Sequence, residues 1–142
     1  MKKLFNQLAL LLFFTPFVLA QDLDFFNEYF IDETMRIDYY HIGNSTEEFV
    51  TLDQIYKYGI WAGSRKYLID DLNLGRYCVK IYDAATNQLI FSKGFDSYFG
   101  EYKTSSEGLE GIKKTFHESA LIPYPKNKIS LNFSEQKLIH SM

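Results

Sequence analysis

Period-two alternation of apolar and polar residues is the strongest signal along this chain. Met35, Ile37 and Tyr39 fall on one side and Arg36, Asp38 and Tyr40 on the other, the pattern of a half-buried strand, and the run ends at Gly43-Asn44. A hairpin follows later. Tyr77, Val79 and Ile81 alternate with Cys78, Lys80 and Tyr82, the chain turns through Asp83 to Gln88, and Leu89, Phe91 and Phe95 resume the alternation. Asn87 is the turn residue best able to take a positive φ. A last strand places Ile129, Leu131 and Phe133 inward and Ser130, Asn132 and Ser134 outward.

Helical signals are shorter. Thr51-Leu52-Asp53-Gln54 has capping-box form ahead of Ile55 and Tyr56, and Thr104 with Glu107 suits the start of a helix whose Leu109, Ile112 and Phe116 share a face, weakened by Gly108 and Gly111. Pro123-Tyr124-Pro125 reads as extended, at an edge or in a connector. Four strong strand signals, with weaker ones near Phe30, Tyr67 and Leu121, predict a mainly β chain: an antiparallel β-sandwich with one or two short connecting helices. The competing architecture is a flat α+β sheet covered by the second helix.

Composition narrows the class. With 142 residues, 46% apolar and 23% charged, the chain is one ordinary globular domain. Lys2 and Lys3 precede the apolar run Leu8 to Phe14, and Val18-Leu19-Ala20 supplies small residues for cleavage, so residues 1–20 read as a secretory signal peptide. No later segment is long and apolar enough to span a bilayer, so no integral membrane segment is expected. The expected product is exported, and periplasmic or secreted; Gln21 stands where a lipoprotein would carry its cysteine.

Without the first twenty residues, 13 basic residues face 18 acidic ones, which argues against nucleic acid as a partner. Cys78 is the single cysteine, so the fold rests on its core rather than on an internal disulfide. The high aromatic content, 18%, can supply that core. Trp61, between Gly59 and Gly63, is expected to turn inward and plug one end of the sandwich.

The chemistry-bearing residues are sparse. His117-Glu118-Ser119-Ala120-Leu121 resembles the opening of a zinc-protease helix, but Leu121 stands at the second histidine position and Pro123 would stop the helix, which leaves a solvated helix end. His41 and His140 have no Cys, His or carboxylate at ligand spacing. Cys78 reads as a packed strand residue, and Ser64 lacks a nucleophile-elbow context. Glu47-Glu48 and Asp70-Asp71 read as solvated loop charges. No catalytic, cofactor-binding or metal-ligating residue is expected. Asn44-Ser45-Thr46 fits a glycosylation acceptor in a eukaryotic source.

Four ordered stretches carry a family likeness: Gly59-Ile60-Trp61-Ala62-Gly63-Ser64-Arg65, Tyr82-Asp83-Ala84-Ala85-Thr86-Asn87, Gly94 to Tyr102, and Leu121-Ile122-Pro123-Tyr124-Pro125. With Tyr29-Phe30 through Asp38-Tyr39 at the front, the chain from Phe25 to Phe133 resembles the N-terminal domain of IgA-peptidase-type secreted zinc metalloendopeptidases, a family frequent in Bacteroidetes. The resemblance implies a β-sandwich accessory domain over residues 21–134, with a short tail over 135–142. It also implies that the zinc ligands and catalytic glutamate belong to a C-terminal domain outside this chain, so no catalytic residue carries over. A truncated gene product, a fragment and a stand-alone module remain open. The implied partner is a protease catalytic domain or a protein substrate. The alternative is a free-standing module binding a glycan or a surface protein. Tyr98, Tyr102 and Tyr124 are the candidate interaction surface.

Overall fold

The computed structural model describes residues 25–72 and 74–135; the expected signal peptide, and all of the tail beyond Glu135, lie outside them. A helical turn, α1 (residues 25–29), leads into β1 (Phe30–Gly43) and β2 (Glu48–Lys57). Then come β3 (Tyr77–Asp83), β4 (Leu89–Phe95), α2 (Tyr98–Tyr102), α3 (Ser106–Leu109), β5 (Lys114–Pro125) and β6 (Ile129–Glu135). The strands form two antiparallel three-stranded sheets, ordered β2-β1-β5 and β4-β3-β6, and make a β-sandwich.

Alternation builds the core. Ile37 of β1 and Ile122 of β5 meet Val79, Ile81, Ile90 and Phe91 from the other sheet, with Phe26, Phe30 and Leu68 closing the cluster. Ring centroids of Tyr39 and Phe133 stand 4.8 Å apart across the two sheets. The β3–β4 turn forms as its sequence predicts: Asn87 takes φ 57°, and Asp83 Oδ2 accepts hydrogen bonds from Thr86 N at 2.9 Å and Thr86 Oγ1 at 2.8 Å. Pro123 and Pro125 sit on β5, an edge strand, where a missing N–H donor is tolerated.

Three local expectations are corrected. Thr51 to Tyr56 is strand, not helix, because nine backbone partners along β1 outweigh a four-residue cap signal. The helix drawn from Thr104 toward Phe116 stops at Leu109. Ser105 rather than Thr104 caps it, its hydroxyl accepting from Gly108 N at 3.2 Å, Gly111 takes φ 88°, and Phe116 belongs to β5. No strand forms at Tyr67. The long connection from β2 to β3 is instead pinned by Leu68, which is buried in the core and whose carbonyl accepts from Ser92 N at 2.9 Å.

Candidate interaction surface

Adjacent residues of α2 have opposite fates. The hydroxyl of Ser97 accepts from Gly100 N and starts the helix; Phe99 and Tyr102, three positions apart, then share the inward face. Phe99 is wholly buried, and Tyr102 is buried at 8% exposure, its hydroxyl donating to Ile112 O at 2.6 Å. Tyr102 is therefore part of the core and is corrected as a surface candidate. Tyr98, on the opposite side, keeps 76% of its surface exposed.

Beneath α2 lies a polar network assembled from four strands and a helix end. The ring of His41 stacks on Phe99, with centroids 3.9 Å apart. Its Nδ1 is 3.2 Å from Glu118 Oε2, and its Nε2 is 3.0 Å from Glu48 Oε1. Glu118 Oε1 also accepts from Phe99 N at 3.1 Å, so a carboxylate on β5 holds the first turn of α2. Lys103, just past α2, reaches Glu48 at 2.7 Å and Glu135 at 2.9 Å, tying β2 to β6.

Burial would raise the carboxyl groups of both Glu48 and Glu118. Hydrogen bonds from Lys103 and His41 to Glu48, and from His41 and Phe99 N to Glu118, outweigh it and hold both below the ordinary carboxylate range. Tyr39 and Tyr77, packed beside them, are pushed upward by burial and by the neighbouring carboxylates.

The network reverses two expectations. His117 and Glu118 sit on a strand, so they face opposite ways: Glu118 turns inward to His41, while His117 lies on the outer face against Tyr40 and 3.2 Å from Asp53. A histidine-glutamate pair with that geometry cannot grip a shared ligand as it would on a helix. Glu48, expected in a solvated loop, is half-buried on β2 because the hairpin returns it to His41. Among the described residues, no group of three or more His, Cys, Asp or Glu is arranged to hold a metal ion.

Above the network, Tyr98 stands at the rim of a cleft of about 300 Å³ lined by Tyr39, Phe95, Asp96, His117, Glu118 and Ser119. A second cleft of about 280 Å³ shares Phe95, Asp96 and Ser119 and extends to Leu121, so the two run along the gap between β4 and β5. Tyr124 is half-buried near the far end of β5, opposite Ile31. It lies seven strand positions from His117, roughly 23 Å, so Tyr98 and Tyr124 do not form one patch.

A larger groove, about 510 Å³, opens on the β2–β3 connection and is lined by Trp61, Tyr67, Asp71, Leu72, Phe91 and Lys93 among others. Trp61 forms a wall here and does not plug the sandwich end. Its ring stands edge-on to Phe91 at 6.0 Å, half-buried, and its Nε1 donates to Ser64 O at 3.0 Å. Asp70, grouped in sequence with Asp71 as a solvated charge, is half-buried and accepts from Gly94 N at 2.7 Å and Leu72 N at 3.0 Å. Gly94 is required there: a Cβ would come within 1.9 Å of Leu74 O.

Two other sequence candidates become structural. Cys78 is buried in β3. Asn44 is buried in the β1–β2 turn, where its Oδ1 accepts from Thr46 N and Glu47 N and its Nδ2 donates to Gly111 O at 2.9 Å. Its amide is engaged and has no free face for a glycan.

Among the described residues, no helix is long and apolar enough to cross a membrane. A family model described as Peptidase M64 N-terminus matches residues 25–141, more than half of the chain. No curated protein matches it.

Proposed function

This chain belongs to the Peptidase M64 N-terminus family, and on that premise we propose that it is a non-catalytic, exported accessory domain that packs against a protease domain or presents substrate to it. The family match is the observation that carries this reading. The surface fits it. The Tyr98 rim offers an exposed aromatic ring on a rigid base, because Phe99, His41 and Glu118 lock α2 from below. An anchor presented on a fixed scaffold loses little conformational freedom on docking. The gap between β4 and β5 beside it is bounded by two strand edges, which suits an extended peptide.

The test is direct binding. The natural processed chain is titrated with a separately produced catalytic domain of a family member by calorimetry. Saturable binding that Tyr98→Ala weakens at least tenfold supports docking; no heat at high micromolar concentration overturns it. The same protein should carry no stoichiometric zinc and cleave no protein, and a chelator-sensitive proteolytic activity would refute the non-catalytic role. An intact mass beginning near Gln21 in an extracytoplasmic fraction is the expectation for export.

A second reading has its own support in the Trp61 groove, where an aromatic wall, the exposed Tyr67, Asp71 and Lys93 combine stacking surface with polar groups, as sugar-binding clefts do. Affinity electrophoresis against host and bacterial glycans checks it. Retardation abolished by Trp61→Ala and Tyr67→Ala would favour the free-standing module over the docking domain.

A further inference from the structure

We propose that β2 is a self-pairing edge through which two copies of this chain join, strand against strand, into one continuous six-stranded sheet. β2 hydrogen-bonds to β1 alone and is the outer strand of its sheet. It is long, ten residues, and every residue after Glu48 is exposed on both faces. Phe49 and Leu52 are 59% and 58% exposed, and Val50, Ile55 and Tyr56 are exposed as well. A long apolar edge of this kind is a template for another strand.

Two common protections, a proline and a charge held along the middle of the edge, are missing from the strand. It contains no proline, and Glu48 and Lys57 sit at its two ends. The one charge in the middle, Asp53, is drawn back over the outer face to His117.

What selects a second copy is the order of the residues. Aligned antiparallel to itself about a two-fold axis between Leu52 and Asp53, β2 sets Glu48 opposite Lys57, Phe49 opposite Tyr56, Val50 opposite Ile55 and Thr51 opposite Gln54. The central pair, Leu52 with Asp53, falls at the bulge and is not matched; each of the other four joins opposite charges, two aromatics, two branched aliphatics or two polar side chains, the combinations that stabilise cross-strand neighbours, and no like charges meet.

In an unbroken strand this register would be forbidden, because residues an odd number of positions apart lie on opposite faces. The bulge removes that obstacle. Leu52 stands opposite Tyr39 and Gln54 opposite Asp38, so Asp53 is an inserted residue and the face alternation shifts there by one. Glu48, Val50, Leu52, Ile55 and Lys57 therefore share the inner face and Phe49, Thr51, Gln54 and Tyr56 the outer face. Every one of the four pairs matches inner with inner or outer with outer. The closed, isologous contact that results is the commonest form of homodimer.

The inner face gives the association a driving force. Val50, Leu52 and Ile55 lie on the same side of the sheet as the buried Ile37 and Tyr39, yet all three remain exposed. Pairing two copies brings both aliphatic stripes side by side and removes their facing flanks from water.

The inference is independent of any protease and is tested without one. Sedimentation velocity of the processed chain over a hundredfold concentration range should show a monomer–dimer equilibrium. Val50→Lys and Ile55→Glu, each at an already exposed position, should each shift the midpoint at least tenfold toward monomer. The double variant should recover dimer, because the introduced lysine of one copy then faces the introduced glutamate of the other. Circular dichroism melts matching the parent's would exclude unfolding as the cause. A species that stays monomeric at millimolar concentration overturns the proposal. So does a dimer indifferent to both single changes, or one that the double variant fails to recover. Binding of a foreign extended peptide at β2 by an otherwise monomeric chain would replace the second copy as occupant.

Discussion

Phe99 lies on the ring of His41 with centroids 3.9 Å apart and planes 25° from parallel. This stack joins the short helix α2 to the central strand of one sheet. The same ring of His41 has a carboxylate at each nitrogen, so aromatic packing and charge meet at one point. The stability of the Tyr98 surface follows from what lies under it.

Phe99→Ala should cost about 3 to 5 kcal/mol, the range for removing a buried aromatic, whereas Tyr98→Ala should stay within about 0.5 kcal/mol. Urea melts of the two variants make the comparison, and equal losses would mean that α2 does not seat as described.

Acid should weaken the fold through Glu48 and Glu118. Both carboxyls are held below the ordinary value of 4.5, so the folded chain binds fewer protons than the unfolded one as pH falls. Their contribution is fully present above about pH 5 and is lost as pH drops through the folded values. Thermal melts from pH 7 down to pH 3 should show Tm falling over this window, and Glu118→Gln should lower Tm at pH 7 and flatten the fall.

Asn44→Ala should destabilise by about 1 to 3 kcal/mol, because Thr46 N, Glu47 N and Gly111 O lose their partner together. Denaturant titration reads the loss. Asn44→Asp should recover part of it, since its carboxylate can still accept from both amides.

Trp61→Ala should cost about 1 to 2 kcal/mol, less than a core aromatic, because the ring is half-buried against Phe91. As the single tryptophan, it reports on itself: its fluorescence should be quenched by acrylamide in the folded chain. Complete protection from quencher would mean that the groove is closed.

The strands that could be read from sequence are those whose two faces differ. Tyr77 to Tyr82 and Ile129 to Phe133 alternate because one side of each is covered by the opposite sheet. β2 has no covered side, so its residues carry no burial pattern, and the local resemblance of Thr51 to Gln54 to a helix cap pointed the wrong way. Only pairing with β1 makes it a strand. Tyr102 was equally hidden, since a five-residue helix offers a single repeat of spacing by which to separate it from Tyr98. His41 was unreadable for a different reason: Glu118 reaches it through pairing across the sheet, and spacing along the chain holds no trace of that contact. Glu48 lies within reach of sequence reasoning, because the tight turn after Gly43 folds it back beside His41.

The order of strands also sets a schedule. β1 is the first strand among the described residues, yet its longest pairing is with β5, joining Phe30 to Pro125 and Gly43 to Lys114, and β3 waits for β6 in the same way. Neither sheet is complete until β5 and β6 have left the ribosome. Contacts so distant along the chain form slowly, because loop closure must precede them. Until β5 and β6 are made, β1 and β3 each lack one of their two neighbours, so both sheets close late in synthesis.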